Sequence, residues 1–299
     1  MKPTLDHLHG SSRSTLAIAD LDAGFRVQVQ TLLRLALPAM YADVASHIDV
    51  AAMRKRGLVS VISYIELAPA AVPLAVAGTI EIDCETRLCE LSGVGPGHAR
   101  ARLGLEVRFG FRSQPGTGDP RRYRETLAGE PVSCASGRML LALLRPAAPP
   151  TERLVSETPE EMAHLAVHGL ERPHPAAEDL TQVSEGVDSG EGAVAGVWGL
   201  HHSDVNQYVF TGAYISALED LAAQQVHAAG LAAGQHRIQR VSALFKKPFA
   251  AGDAFRVQGG LRVHGNDTVL VAGIHALDAE GGAFQHPSVI GRLEGQVMG

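Results

Sequence analysis

Residues Leu200 to Asp220 read LHHSDVNQYVFTGAYISALED, and the order of polar and apolar residues here decides the architecture. The run His201-His202-Ser203-Asp204-Val205-Asn206-Gln207 is largely polar. It stands between a hydrophobic strand, Ala193 to Leu200, and an amphipathic helix that the periodicity places from Thr211 or Gly212 to about His227. Gly230 closes that helix. So much polarity at one junction needs a reason, and a local one exists. Asp204, Asn206 and Thr211 all suit turns and helix caps, and the dipole favours a carboxylate near a helix start.

Beyond the helix three runs read as strands: Arg237 to Phe245, Ala254 to His264 and Thr268 to Leu277. Gly265-Asn266-Asp267 joins the last two as a tight hairpin. A further strand runs from Ser288 to Gly295. Upstream, Arg145 to Thr151 and Val183 to Gly192 are rich in proline or in glycine and serine, and they bracket a connector. Inside it Thr158-Pro159-Glu160-Glu161 forms a capping box that predicts a short helix to about His168, ended by Gly169.

The front half repeats this order. Ala39 to Leu58 aligns with Gly212 to Leu231, placing Tyr41 on Tyr214 and Gly57-Leu58 on Gly230-Leu231. Ile62-Ser63 to Pro69 then aligns with Val241-Ser242 to Pro248, and strands follow at Ala77 to Leu91, His98 to Phe111 and Arg138 to Leu144. A long helix followed by consecutive strands is an α+β plan in which an antiparallel sheet packs around one helix. Two tandem units are expected, at 15–146 and 192–299, with the connector at 147–191.

The segment DVNQYVFTGAYI resembles DVNQHVNNVTYI of plant and bacterial acyl-carrier-protein thioesterases in the hotdog superfamily. Asp204, Val205, Asn206, Gln207, Val209, Tyr214 and Ile215 carry the match. Asp204 also falls on the catalytic aspartate of the hydroxybenzoyl-CoA thioesterase branch, in a DxxxxVxxxxY pattern. Phe245-Lys246-Lys247-Pro248 to Gly252-Asp253 is similar to the strand and GD turn that follow the helix in that superfamily. The resemblance implies a double hotdog, two sheets each wrapped around a long central helix, that hydrolyses acyl-CoA or acyl-carrier-protein thioesters without a cofactor or metal. It implies that Asp204 attacks the thioester or activates water and that Asn206 orients water or substrate. Free amides around Val209 to Thr211, with Phe210 between them, would face the oxyanion. Tyr214 and Leu218 would line an acyl tunnel, and Lys246 and Lys247 would meet the phosphates of coenzyme A or an acidic carrier.

One departure matters. Tyr208 stands where the family has histidine, and Phe210 and Thr211 replace its two asparagines. His201 or His202 is a candidate substitute, because one of them must point inward if the strand keeps alternating. In the front half Asp22 is the aspartate before the helix, with no asparagine or histidine beside it, and reads as a cap in a degenerate site. Glu219 and Asp220 read as an exposed charged face. Two other functions stay open: a hotdog hydratase or dehydratase, faintly echoed by His202-Ser203-Asp204, and a non-catalytic acyl-binding protein, favoured by Tyr208.

Composition sets the outer limits. The 299 residues are 45% hydrophobic with a net charge of −6, enough for one large core or two smaller ones. The 26 basic residues form no stripe, which argues against a nucleic-acid partner. The start MKPTLDHLHGSSRST has no signal-peptide core and no stretch reaches a membrane-spanning length, so a cytoplasmic location is expected. Cys84, Cys89 and Cys134 lack metal or disulfide spacing and read as small buried hydrophobes. A fused pair is compatible with a monomer or with a homodimer through another face.

Overall fold

The computed structural model describes residues 4–91, 102–149, 152–172, 175–182, 187–203 and 208–298. They fall into two units. One takes in the chain up to Val27 with Arg34–Ile65 and Val72–Pro175, the other Gln28–Leu33, Glu66–Ala71 and the chain from Ala176 on.

The first unit contains β1 (Leu8–Thr15), most of helix α1 (Val29–His47), α2 (Val50–Lys55), most of β2 (Val59–Pro69), then β3 (Thr79–Leu91), β4 (Arg102–Ser113), β5 (Val132–Leu144) and the short β6 (Val167–Gly169). The sheet order is β1-β3-β4-β5-β2, and β6 lies parallel to β3 from Leu88 to Glu90. The second unit contains α3 (Ala177–Thr181), β7 (Val187–Val197), α4 (Thr211–Ala228), β8 (His236–Phe245), β9 (Ala254–His264), β10 (Asp267–Ala276) and β11 (Val289–Val297). Its sheet order is β7-β9-β10-β11-β8. Ranked along the chain, the five main strands of each unit thus run first, third, fourth, fifth, second.

Helix α4 packs on all five strands of its sheet. Ala213, Tyr214, Ile215, Ala217, Leu218, Leu221, Ala222 and Val226 form the buried stripe that the three-to-four spacing demands. Ile215, Leu218 and Leu221 are fully buried, and burying each side chain contributes about 1.5–3 kcal/mol. Gly265, with φ +60°, takes the first central position of the two-residue turn between β9 and β10, where only glycine sits without strain.

One buried polar side chain belongs to this frame. Between Asp188 and Glu191 the register of β7 on β9 slips, leaving two residues opposite Leu261. Gln225 repairs the gap from α4: its Oε1 accepts the Leu261 amide at 2.6 Å and its Nε2 donates to the Gly259 carbonyl at 2.8 Å.

Two expectations from sequence need correction. The connector helix is only a 3₁₀ turn at Glu160–Met162. Pro159 offers no side-chain cap, Glu161 pairs with Arg56 at 3.2 Å instead, and Val167–Gly169 joins the sheet as β6. Arg87 and Arg108 then hold Glu171, beside a buried Arg138–Glu106 pair at 2.7 Å. Nor is Tyr41 the counterpart of Tyr214, since Tyr41 is 56% exposed and Tyr214 4%.

The alignment holds at the helix ends and not before them. Gly57 and Gly230, at φ +72° and +74°, close α2 and α4 with identical bonds. Gly57 N donates to Arg54 O and Leu58 N to Met53 O, as Gly230 N donates to His227 O and Leu231 N to Val226 O. Upstream the front half is longer by about half the length of α4, because α1 breaks at Ile48 and restarts with Asp49 capping α2.

Candidate active site

The loop before α4 is tied at both ends. After β7, residues Leu200–His202 form one 3₁₀ turn, with His202 N donating to Gly199 O at 3.0 Å and Ser203 N to Leu200 O at 3.1 Å. A Cβ on Gly199 would come within 2.7 Å of the exposed His201 ring, which would have to turn aside. Ser203 bridges Val209, and Phe210 N donates to His202 O at 2.8 Å. On the other side Val209 N donates to Phe249 O at 2.9 Å, and the Phe249 amide donates to the Tyr214 hydroxyl at 3.0 Å. Strand end, loop end and first helical turn are thus pinned together. Asp204, Val205, Asn206 and Gln207 lie outside the described residues.

Beneath the loop is an aromatic cluster. Trp198, 2% exposed, stacks on Phe255 with centroids 4.0 Å apart and meets Tyr214 and His202 edge-on at 5.4 and 5.5 Å. Phe249 completes the cluster. Both main-chain groups of Trp198 are held by the GD turn: its N–H by Asp253 O at 3.0 Å, its carbonyl by Gly252 N at 2.8 Å. The ring is therefore fixed.

The electrostatics follow from burial. His202 Nδ1 accepts the Gly199 amide at 3.1 Å, so the neutral ring carries its proton on Nε2. Burial, and then the neighbouring His201, hold its pKa below the ordinary histidine value. His202 is thus a neutral donor at pH 7, and its lone pair is already used. Glu219 differs from the exposed acid expected from sequence. It is half-buried, burial pushes its carboxyl up to about 7, and Gln30 of the same unit donates to it. Asp220 is exposed.

No protein-family model and no curated protein matches the chain. Solved structures do, over almost its whole length. A 12:0-ACP thioesterase from Umbellularia californica superposes with a TM-score of 0.64 at 14% identity, covering 97% of this chain and 94% of that one. A candidate oleoyl thioesterase from Lactobacillus plantarum gives 0.66 at 12% identity over 97% and 95%. An acyl-ACP thioesterase from Bacteroides thetaiotaomicron gives 0.57 at 12% over 96% and 98%. This chain has the acyl-ACP thioesterase fold.

Within that fold the structure gathers His202, Tyr208, Val209, Phe210, Thr211 and Tyr214 around one loop, with exposed His201 at its rim. Tyr208 is half-exposed and its main chain bridges Ala250. The amides of Val209 and Phe210 are both spent on carbonyls. Those of Thr211 and Gly212, at the start of α4, have no acceptor among the described residues. Lys246 and Lys247 are exposed just after β8, their amides bonded to Ser288 O. Leu218 stands apart: it is fully buried, and its Cδ1 lies 2.3 Å from where a Cβ on Gly291 would be, so helix and sheet touch there.

The front half carries a twin of the loop. Asp20 N donates to Ala17 O, Leu21 N donates to Ile18 O, and Leu21 bridges Val27, matching His202, Ser203 and Val209 bond for bond. Asp20 even takes the place of His202 as the side chain that accepts the turn's first amide. Asp22 and Asp204 each stand seven residues before their helix. In the front loop Asp22 accepts the Gly24 and Arg26 amides at 2.7 and 3.0 Å and is also held by the buried Arg26 guanidinium. Its oxygens are engaged within the loop. Asp22 thus caps the loop and not the helix, which begins only at Val29, and nothing in the sequence pointed to the arginine that the closed loop brings back onto it.

Proposed function

We propose that this protein hydrolyses acyl thioesters of coenzyme A or an acyl carrier protein, with Asp204 as its catalytic carboxylate. The observation that supports this most is a loop tied at Ser203 and Val209, just ahead of a helix whose Thr211 and Gly212 amides meet no acceptor among the described residues, in the fold of acyl-ACP thioesterases. In this reading water attacks the thioester carbonyl as Asp204 takes its proton. The amides of Thr211 and Gly212 receive the developing oxyanion, and the C–S bond then breaks as the proton passes to the leaving thiolate. Asn206 orients the water. Because Tyr208 replaces the family histidine and His202 has spent its lone pair, the base is Asp204 itself.

The same reading makes α1 and α4 the central helices of two hotdog units spanning 15–146 and 192–299. The front unit has a degenerate site closed by Arg26, and 147–191 joins the two. Lys246 and Lys247 attract the substrate's phosphates, and a cytoplasmic protein, alone or as a homodimer, fits the pattern. Tyr214 lines the acyl site, whereas a chain running past Leu218 requires that side chain to move off Gly291. Tyr208 favours a second reading, an acyl-binding protein without turnover.

Thiol release from a series of acyl-CoA and acyl-carrier thioesters separates the two. Turnover that Asp204→Asn lowers by 100-fold or more is the expected result. Binding without thiol release supports the second reading, and an unchanged rate in Asp204→Asn refutes the first.

A further inference from the structure

Two side-chain N–H groups beside the loop have no acceptor among the described residues. The Trp198 Nε1 is buried and unpartnered. His202 Nε2, which carries the proton because Nδ1 accepts the Gly199 amide, meets no acceptor among the described residues. The two rings stand edge to face, at 90° with centroids 5.5 Å apart, so the two donors sit on neighbouring side chains.

Neither can readily turn away. Trp198 is stacked on Phe255, edge-on to Tyr214, and tied through both main-chain groups to Gly252 and Asp253. His202 is held by its bond to Gly199. Leaving a buried N–H unmade costs stability, and such a group in a native fold calls for an explanation, of which a functional role is one. A phenylalanine would fill the same aromatic niche without that cost. Of the four rings around the indole, Tyr214, Phe249 and Phe255 are buried and His202 alone is half-buried.

We infer that Trp198 Nε1–H and His202 Nε2–H bind an oxygen of the substrate's acyl group. This rests on the thioester reading and adds to it the atoms that recognise the acyl moiety. The acceptor is a neutral oxygen flanked by hydrocarbon, which suits two donors set in aromatic walls. With the thioester oxygen facing the Thr211 and Gly212 amides, the oxygen left for these donors is a hydroxyl or ketone further along the chain.

Trp198 is the one tryptophan of the chain, so its emission reports the site directly in the full-length protein. Three non-hydrolysable probes divide the outcomes: S-dodecyl-CoA, which has no acyl oxygen; S-(2-oxododecyl)-CoA, with a carbonyl; and S-(3-hydroxydodecyl)-CoA, with an oxygen on the chain only. S-(3-hydroxydodecyl)-CoA is expected to shift the emission and bind about tenfold tighter than S-dodecyl-CoA, the worth of one well-placed hydrogen bond. A preference confined to S-(2-oxododecyl)-CoA overturns the inference. In titration calorimetry Trp198→Phe, which keeps an aromatic ring on Phe255, is expected to erase the preference while S-dodecyl-CoA still binds. Equal affinity and equal emission change for all three in the unaltered protein overturn the inference whether or not the variant folds. If none of the three binds, the thioester reading itself falls, and the inference with it.

Discussion

Replacing Tyr214 by phenylalanine removes one oxygen from the centre of the site. That oxygen accepts the Phe249 amide at 3.0 Å, with Tyr214 4% and Phe249 1% exposed, and the Phe249 carbonyl in turn holds Val209 at the loop's end. The aromatic contacts survive, because phenylalanine keeps the ring that lies 5.4 Å from Trp198, 5.7 Å from Phe245 and 5.9 Å from Phe249. What is lost is an acceptor for a buried N–H, which costs about 1–3 kcal/mol. At roughly 2–4 °C per kcal/mol for a unit of this size, the melting temperature should fall by about 2–12 °C. Trp198 emission follows unfolding from beside the altered ring, and calorimetry supplies the enthalpy. Tyr214→Leu should cost more, because each lost aromatic pair adds about 0.5–1.5 kcal/mol. A Tyr214→Phe protein within about 0.5 kcal/mol of the parent, below the usual range for a neutral hydrogen bond, or a leucine variant no worse than phenylalanine, would refute this account.

Gly291→Ala should destabilise the second unit by about 1–3 kcal/mol through the clash with Leu218, and Leu218→Ala in the same chain should recover part of that loss in a double-mutant cycle. Asp43 is buried on α1 with no partner for Oδ2 among the described residues, and burial raises its pKa despite the opposing charges of His47 and His9. The folded state therefore holds this proton more tightly than the unfolded chain does, so the contribution of Asp43 to stability falls as pH rises through its folded pKa. Asp43→Asn should accordingly gain stability over the parent at pH 7, with the gap narrowing toward pH 4 in denaturant titrations. Burial pushes the thiols of Cys84, Cys89 and Cys134 up to about 11. Iodoacetamide at pH 8 should leave all three unmodified by mass spectrometry until denaturant is added. For turnover, Lys246→Ala with Lys247→Ala should raise KM for phosphate-bearing acyl-CoA more than for the acyl-pantetheine ester, and equal changes would remove these lysines from substrate binding.

Strands and helices with strong periodicity were legible in the sequence. β8 to β11 and α4 fall within about two residues of the runs that predict them, because β10 and most of β11 alternate regularly, β8 ends in a continuous apolar run and α4 carries a buried stripe. β1 was not legible. Its sequence LHGSSRST has one fully buried residue, Leu8, and it is a strand because its main chain pairs with β3. The start of α1 was missed as well: the helix begins at Val29 and runs through Pro38, a residue that usually ends one.

The stretch from Leu200 to Asp220 determined by itself where the polar loop and its helix lie, since capping chemistry and apolar spacing are properties of neighbours along the chain. Tertiary structure alone decided which groups of that loop are free to act. His202 loses its lone pair to Gly199, Val209 and Phe210 lose their amides to Phe249 and His202, and beside the loop the Trp198 side-chain N–H meets no acceptor among the described residues. A hydrogen bond is spent or spare according to what the folded chain brings within about 3 Å of it, and that distance is written in no local pattern.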